Sequence, residues 1–310
     1  KLDLQMFISL GSFFYMRILL FLGMQLGVLV VVSIVGSILL SLFGIRIGSQ
    51  GYIGMWSLFL VMGFAGSFIS LFLSKTMCIK AYNVQLINNP TSYEERMIFK
   101  MVGDLAYKAQ LPMPEVGIYD SADPNAFATG YSKNNALVAV STGLLRSMNE
   151  EEVRGVIGHE ISHIKNGDMV TMCLLQGVLN TFVYAISYIV AQALTSINNQ
   201  RSEEGGSSSN FFMFTLVNSV CQILFGFVAS LIMMWYSRHR EFGADELSAR
   251  LTSPKTMISS LEALRRGVQP SQDVSANMQA MCINSVTLGN LLSSHPPLEK
   301  RIEALRNLRY

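Results

Sequence analysis

Long apolar stretches alternate with polar blocks along this chain of 310 residues. No charged residue occurs in residues 18–45, 47–74, 169–200 or 205–237. Each stretch exceeds the roughly 20 residues with which a helix crosses the hydrocarbon core of a bilayer. The first two are dense in Leu, Val, Ile and Phe, and Gly23 and Gly27 lie at the spacing of closely packed membrane helices. The third, read as 169–197, carries Gln176, Asn180 and Gln192. It either spans with those amides facing a helix bundle or lies partly against protein. The fourth, read as 211–236, ends in Trp235-Tyr236, an interfacial aromatic pair. Buried helices of a soluble core are the competing reading, and four such runs in one chain outweigh it.

The polar blocks cover 75–168 and 237–310, and a short Gly/Ser-rich loop, 198–210, separates the third and fourth spans. In the first block, residues 91–110 have helical spacing and open on overlapping capping boxes, Thr91 with Glu94 and Ser92 with Glu95. Pro112 and Pro114 stop that helix. Residues 116–119 and 136–141 read as strands with a turn-rich stretch between them. Asn149 then caps a helix whose first turn holds Glu150, Glu151 and Glu152. The second block reads as helical, punctuated by Pro254, Pro270 and Pro296-Pro297. Residues 1–15 precede Met16-Arg17 and are read as a tag or non-native extension. The expected plan is therefore spans one and two in 16–74, spans three and four in 169–236, and a domain assembled from 75–168 and 237–310.

Composition agrees with a membrane protein. Hydrophobic residues make up 50%, charged residues 14%, and the mean hydropathy is +0.37; a soluble domain carries about 25% charge. A net charge of +2 gives no reason to expect a nucleic-acid partner. Cys78, Cys173, Cys221 and Cys282 form no ladder of spacings and read as reduced thiols, neither disulfides nor metal ligands. Arg17, Lys75, Lys80, Arg238 and Arg240 flank one side of the spans, Arg46 and Arg201 the other. The positive-inside rule then puts both polar blocks in the cytoplasm.

Chemistry enters at IGHEISHIKNGD, residues 157–168. His159 and His163 are four apart on one helix face, so both imidazoles reach one ion. Glu160 sits beside them, where it can take a proton from a water on that ion. A catalytic zinc wants a third protein ligand and an open position. The spacing HExxHxxGxxH is absent, because Asn166 and Met169 occupy its last two positions. The best remaining source is SRHREFGADELSAR, where Glu241 and Asp245 share a helix face. Glu241 is the expected third ligand, and Asp245 the acceptor of a ligand histidine's other N–H. Two spans separate His163 from Glu241, so both emerge on one side of the membrane, as a shared ion requires.

HEISHIKNGD, SRHREFGAD, NAFATG and SHPPLEKRIEAL together resemble the HtpX family of membrane-bound zinc endopeptidases, bacterial relatives of the prenyl-protein endoproteases. The resemblance runs from about Met16 to the end. It implies a mainly α integral membrane protein: four transmembrane helices plus a gluzincin-like α+β zinc metallopeptidase domain on the cytoplasmic face of the bacterial inner membrane. It implies one Zn2+ per chain on His159, His163 and Glu241, with Glu160 as base and acid. It places Asn125–Ala128 in a strand beside the cleft, and His295 and Arg301 facing the cleft, where they steady the oxyanion or substrate. The implied partners are misfolded or unfolded membrane-protein substrates and the bilayer, in proteolytic quality control. A protease with its metal at bilayer depth fits poorly with the charges around the motif. A non-enzymatic scaffold with a structural zinc is the other alternative, and Glu160 argues against it.

Overall fold

The computed structural model describes residues 49–201, 207–267 and 295–308. The first expected span, the extension 1–15, Pro270 and Cys282 lie outside the described residues. The described chain is mainly helical with one small sheet. Its elements are α1 (Ser49–Ala81), β1 (Gln85–Leu86), α2 (Tyr93–Lys108), β2 (Glu115–Tyr119), β3 (Ala126–Ser132), β4 (Asn135–Ser141), α3 (Thr142–Ser147), α4 (Glu150–Asn166), α5 (Asp168–Arg201), α6 (Ser207–Leu251), α7 (Pro254–Gly267) and α8 (Leu298–Arg306).

Three of these helices are long and apolar enough to span a bilayer, at Phe59–Ala81, Asp168–Ile197 and Asn210–Leu251. In the most apolar window of α6 only 6% of the residues are buried by protein. Phe211, Phe212, Ile223, Leu224, Phe227 and Trp235 are all exposed. An apolar surface of that extent is stable in lipid and unstable in water. The soluble-core reading therefore fails for this helix. The fourth span and the helix carrying Glu241 are one continuous helix, where the sequence reading keeps them apart. The first proline after the span is Pro254, which opens α7.

The chain divides into two compact units. The first contains described residues 49–65, 177–201 and 207–229. Its core holds Trp56, Phe59, Ala185 and Ile189. Gly63 is required there by close approach, because a Cβ would meet Thr181 Oγ1 at 2.3 Å. Asn180 Nδ2 donates to the Gly63 carbonyl at 3.4 Å, so one of the span amides does face another helix.

The second unit contains described residues 66–176, 230–267 and 295–308. Its sheet has the order β1-β2-β4-β3, with β4 parallel to β2 and antiparallel to β3. Helix α2 starts at Ser92, whose capping box with Glu95 is the one of the two expected boxes that caps it. It buries Ile98, Met101, Val102, Leu105 and Ala106, the single stripe its spacing predicts. Asn149 caps α4 by accepting from the Glu152 N–H at 3.0 Å. The turn-rich reading of the segment before β4 misses β3. Its small residues, AFATGYS, mask a strand pattern, and the family resemblance alone placed a strand there. Gly130 (φ 136°) and a bulge between Gly130 and Ser132 bend its end.

Candidate metal centre

Helix α4 is buried along most of its length, at Glu152, Val153 and every residue from Gly155 to Ile164. That burial depends on close contacts. Ser248 of α6 donates to the Gly155 carbonyl at 3.0 Å, and a Cβ on Gly158 would lie 2.6 Å from Ser248 Oγ. Only a bare backbone lets α6 come this near. The contact lies beside His159 on one helix and one turn from Asp245 on the other. Gly167, in the left-handed region at φ 71°, ends α4 and turns the chain into α5.

Two imidazole nitrogens and one carboxylate converge as a result. His159 Nε2 lies 3.1 Å from His163 Nε2 and 3.3 Å from Glu241 Oε2; His163 Nε2 lies 3.4 Å from Glu241 Oε1. All three side chains are buried. Charge-assisted hydrogen bonds are shorter, about 2.7–2.9 Å. The edges of a tetrahedron around an ion bound at about 2.0–2.1 Å are about 3.3 Å. The observed spacings, which run to the two oxygens of Glu241, are closer to that edge than to a hydrogen bond.

The outer nitrogens strengthen this. His159 Nδ1 is 2.9 Å from Asp245 Oδ1, and His163 Nδ1 is 2.6 Å from Asp168 Oδ2. Each carboxylate draws the imidazole proton to Nδ1, leaving a lone pair on each Nε2. Two lone pairs and a carboxylate then face one another. A cation resolves that repulsion. Without one, a proton must serve. Burial pushes the His159 pKa down, but hydrogen bonds to Asp245 and Glu241 outweigh it and hold it up at about 9. His163 is raised too: burial opposes, and Glu241 and Asp168 win.

Behind His159 lies a longer chain of contacts. Arg301, fully buried on α8, grips Asp245 with Nε to Oδ2 at 2.7 Å and Nη2 to Oδ1 at 2.6 Å. Its Nη2 is also 3.3 Å from His159 Nδ1. We read that approach as two donors sharing Asp245 Oδ1. Asp245 holds the Arg301 pKa above its ordinary value against the effect of burial. His295 Nδ1 is 2.8 Å from Glu241 Oε2.

A cavity of about 270 Å3 opens onto the centre. His159, Glu160, His163 and His295 line it, as do Ala128–Gly130 of β3. Burial raises the Glu160 pKa; the two imidazoles and the Ala128 N–H act against that rise. Asn125 is buried at the start of β3, where its backbone N–H donates to Ser141 Oγ at 3.0 Å, and it is not among the lining residues. Arg301 does not line the cavity either. His239 stacks on Trp235 at 6.3 Å and is exposed. The residue that sequence reasoning missed is Asp168. A polar residue just after a helix-ending glycine was its signal.

Comparison with known proteins identifies the family. The family model described as peptidase family M48 matches residues 92–309. Protease HtpX of Haemophilus influenzae (strain PittGG) is 50% identical over 293 residues, covering 94% of this chain and 100% of that protein. Protease HtpX of Actinobacillus pleuropneumoniae serotype 5b (strain L20) is 47% identical over 292 residues, 94% of this chain and 99% of its own. The crystal structure of S. mikatae Ste24p superposes with a TM-score of 0.59 at 18% identity, over 88% of this chain and 62% of that one. At that identity it bears on the fold alone.

Proposed function

The chain belongs to peptidase family M48 and is a membrane metalloprotease, and from that premise we propose that zinc is its metal, one ion per chain on His159, His163 and Glu241. The observation that carries this is the convergence of two buried imidazoles and a buried carboxylate, with contacts of 3.1–3.4 Å between them. Two imidazoles and one carboxylate suit zinc and leave a fourth position open. Bound there, zinc supplies Lewis-acid chemistry, polarising a carbonyl and lowering the pKa of water.

The residues around it divide the remaining work. Glu160 accepts the proton of the attacking water and returns it to the leaving amine. Its burial supports this, since a raised pKa keeps the proton available for the second transfer. His295 lines the same cavity and is assigned to the developing oxyanion. Asp245 and Asp168 hold the two imidazoles in the ligating tautomer. Arg301 holds Asp245. Its complete burial favours that role over the substrate contact expected from sequence. We assign Asn125 to the turn that delivers β3.

Strand β3 is the edge of the sheet and lines the cavity. An extended polypeptide can add to it by backbone hydrogen bonds, so the substrate segment is unfolded when cut. The span helices α5 and α6 carry Asp168 and Glu241, which supports substrates that are membrane proteins and a role in their quality control. The distribution of basic residues supports a catalytic domain on the cytoplasmic face of the inner membrane.

The test pairs wild type with Glu160→Gln in detergent, stripped by chelation and reloaded with zinc. The expected result is metal-restored cleavage of an unfolded membrane protein by wild type, and a metal-loaded but inactive variant. One zinc per chain with cleavage by neither protein would support the structural-zinc scaffold instead.

A further inference from the structure

One charged side chain in the cavity has no part in the chemistry above. Arg240 directly precedes Glu241 on α6 and is the only lysine or arginine among the described residues lining the cavity. Its Nε is buried without a hydrogen-bond partner among the described residues. Glu241 is its one carboxylate neighbour there, with Oε1 3.9 Å from that Nε. This is too long for a charge-assisted hydrogen bond, and the same carboxylate is committed to the metal. Part of the cavity wall is apolar: Leu71, Met169 and Met172 line the same space as Arg240. A buried unpaired donor such as this Nε is costly, and a ligand that brings an acceptor relieves the cost.

Charge at close range points the same way. Arg240 is the only lysine or arginine among the described residues lining the cavity, so a substrate lysine or arginine beside it would meet like charge. A carboxylate would meet a planar donor group suited to bind it through two parallel bonds.

We propose that Arg240 is a substrate-binding residue that selects for a carboxylate on the polypeptide near the bond that is cut, and against a basic side chain there. The carboxylate comes from an aspartate or glutamate side chain or from the substrate's own C-terminus. This rests on the reading of the cavity as the peptidase site.

The test uses the full chain in detergent with zinc, and quenched peptides that differ at one residue. Asp, Asn or Lys is placed in turn at each of the positions flanking the cut. Each peptide is made with a free C-terminal carboxylate and as an amide. At one flanking position wild type should prefer Asp over Lys by roughly tenfold to a hundredfold in kcat/KM. If the C-terminus is the source, acid should be preferred over amide by a similar factor. Arg240→Gln should bring the ratio close to one, and Arg240→Glu should invert it, with metal content unchanged. The ratio is taken within one preparation, so loss of folded enzyme cancels. Ratios near one throughout in wild type, or a preference that survives both substitutions, would overturn the proposal. Metal-dependent cleavage of any peptide by wild type establishes the peptidase reading separately. Its absence would overturn that reading, and the proposal with it.

Discussion

The two histidines of one helical turn are held in contrasting ways. His163 is fixed from close by: Asp168, five residues on, reaches it at 2.6 Å across the Gly167 turn. His159 is fixed from far away. Its partner Asp245 sits on α6, and Asp245 is gripped in turn by Arg301 on α8. The local clamp closes a short loop at little entropic cost; the distal one forms only when three helices have come together. The His163 side is therefore complete once α4 meets α5, whereas the His159 side also reports whether the C-terminal segment has folded.

The largest effect removes what both sides share. Glu241→Gln should abolish tight zinc binding, read by metal content after dialysis against a weak chelator. The loss should exceed the 10–100-fold typical of residues that merely support a ligand.

Next comes the distal side alone. Arg301→Met leaves Asp245 as a buried carboxylate without its principal counter-charge. It should destabilise the domain by about 3–5 kcal/mol, measured by chemical denaturation of the zinc-free protein. An unchanged midpoint would mean that the distal clamp carries no folding energy.

The comparison sharpens with a matched pair, Asp245→Asn and Asp168→Asn. Each should weaken zinc binding by roughly 10–100-fold in chelator competition. Only Asp245→Asn should also lower the stability of the zinc-free protein markedly, because it leaves buried Arg301 with only the more distant Glu241, at 3.5 Å, to pair with. Equal destabilisation by both would erase the distinction drawn between the two sides.

The smallest effect is on pH. Raised in the folded state from its ordinary 6.5 to about 9, the His159 pKa stabilises the zinc-free fold fully below about 6.5. That contribution is lost as pH rises through about 9. Zinc competes with the same proton, so its apparent affinity should climb over the same window. Asp245→Asn should narrow the window from the His159 side and Asp168→Asn from the His163 side, since each removes a carboxylate that holds an imidazole proton. Zinc titrations between pH 6 and 10 would show it.

The sequence by itself determined the elements whose signal is periodic or chemical and local. Uncharged runs identified α5 and the apolar part of α6, capping residues fixed the starts of α2 and α4, and one helical turn set His159, Glu160 and His163 on a common face. The parity of the spans even brought Glu241 to the correct side. Tertiary structure decided what depends on approach in space. The small residues of AFATGYS become an edge strand only because β4 pairs with them. Gly158 matters because Ser248 presses on it, which no window of sequence around either residue contains. Arg301 carries an ordinary helix-surface spacing, and only the packing of α8 shows that its guanidinium is buried against Asp245. Asp168 becomes a clamp through the left-handed turn at Gly167, which aims a carboxylate back at a helix already ended. A buried charge is set by its partners, and those partners come from three separate stretches of the chain.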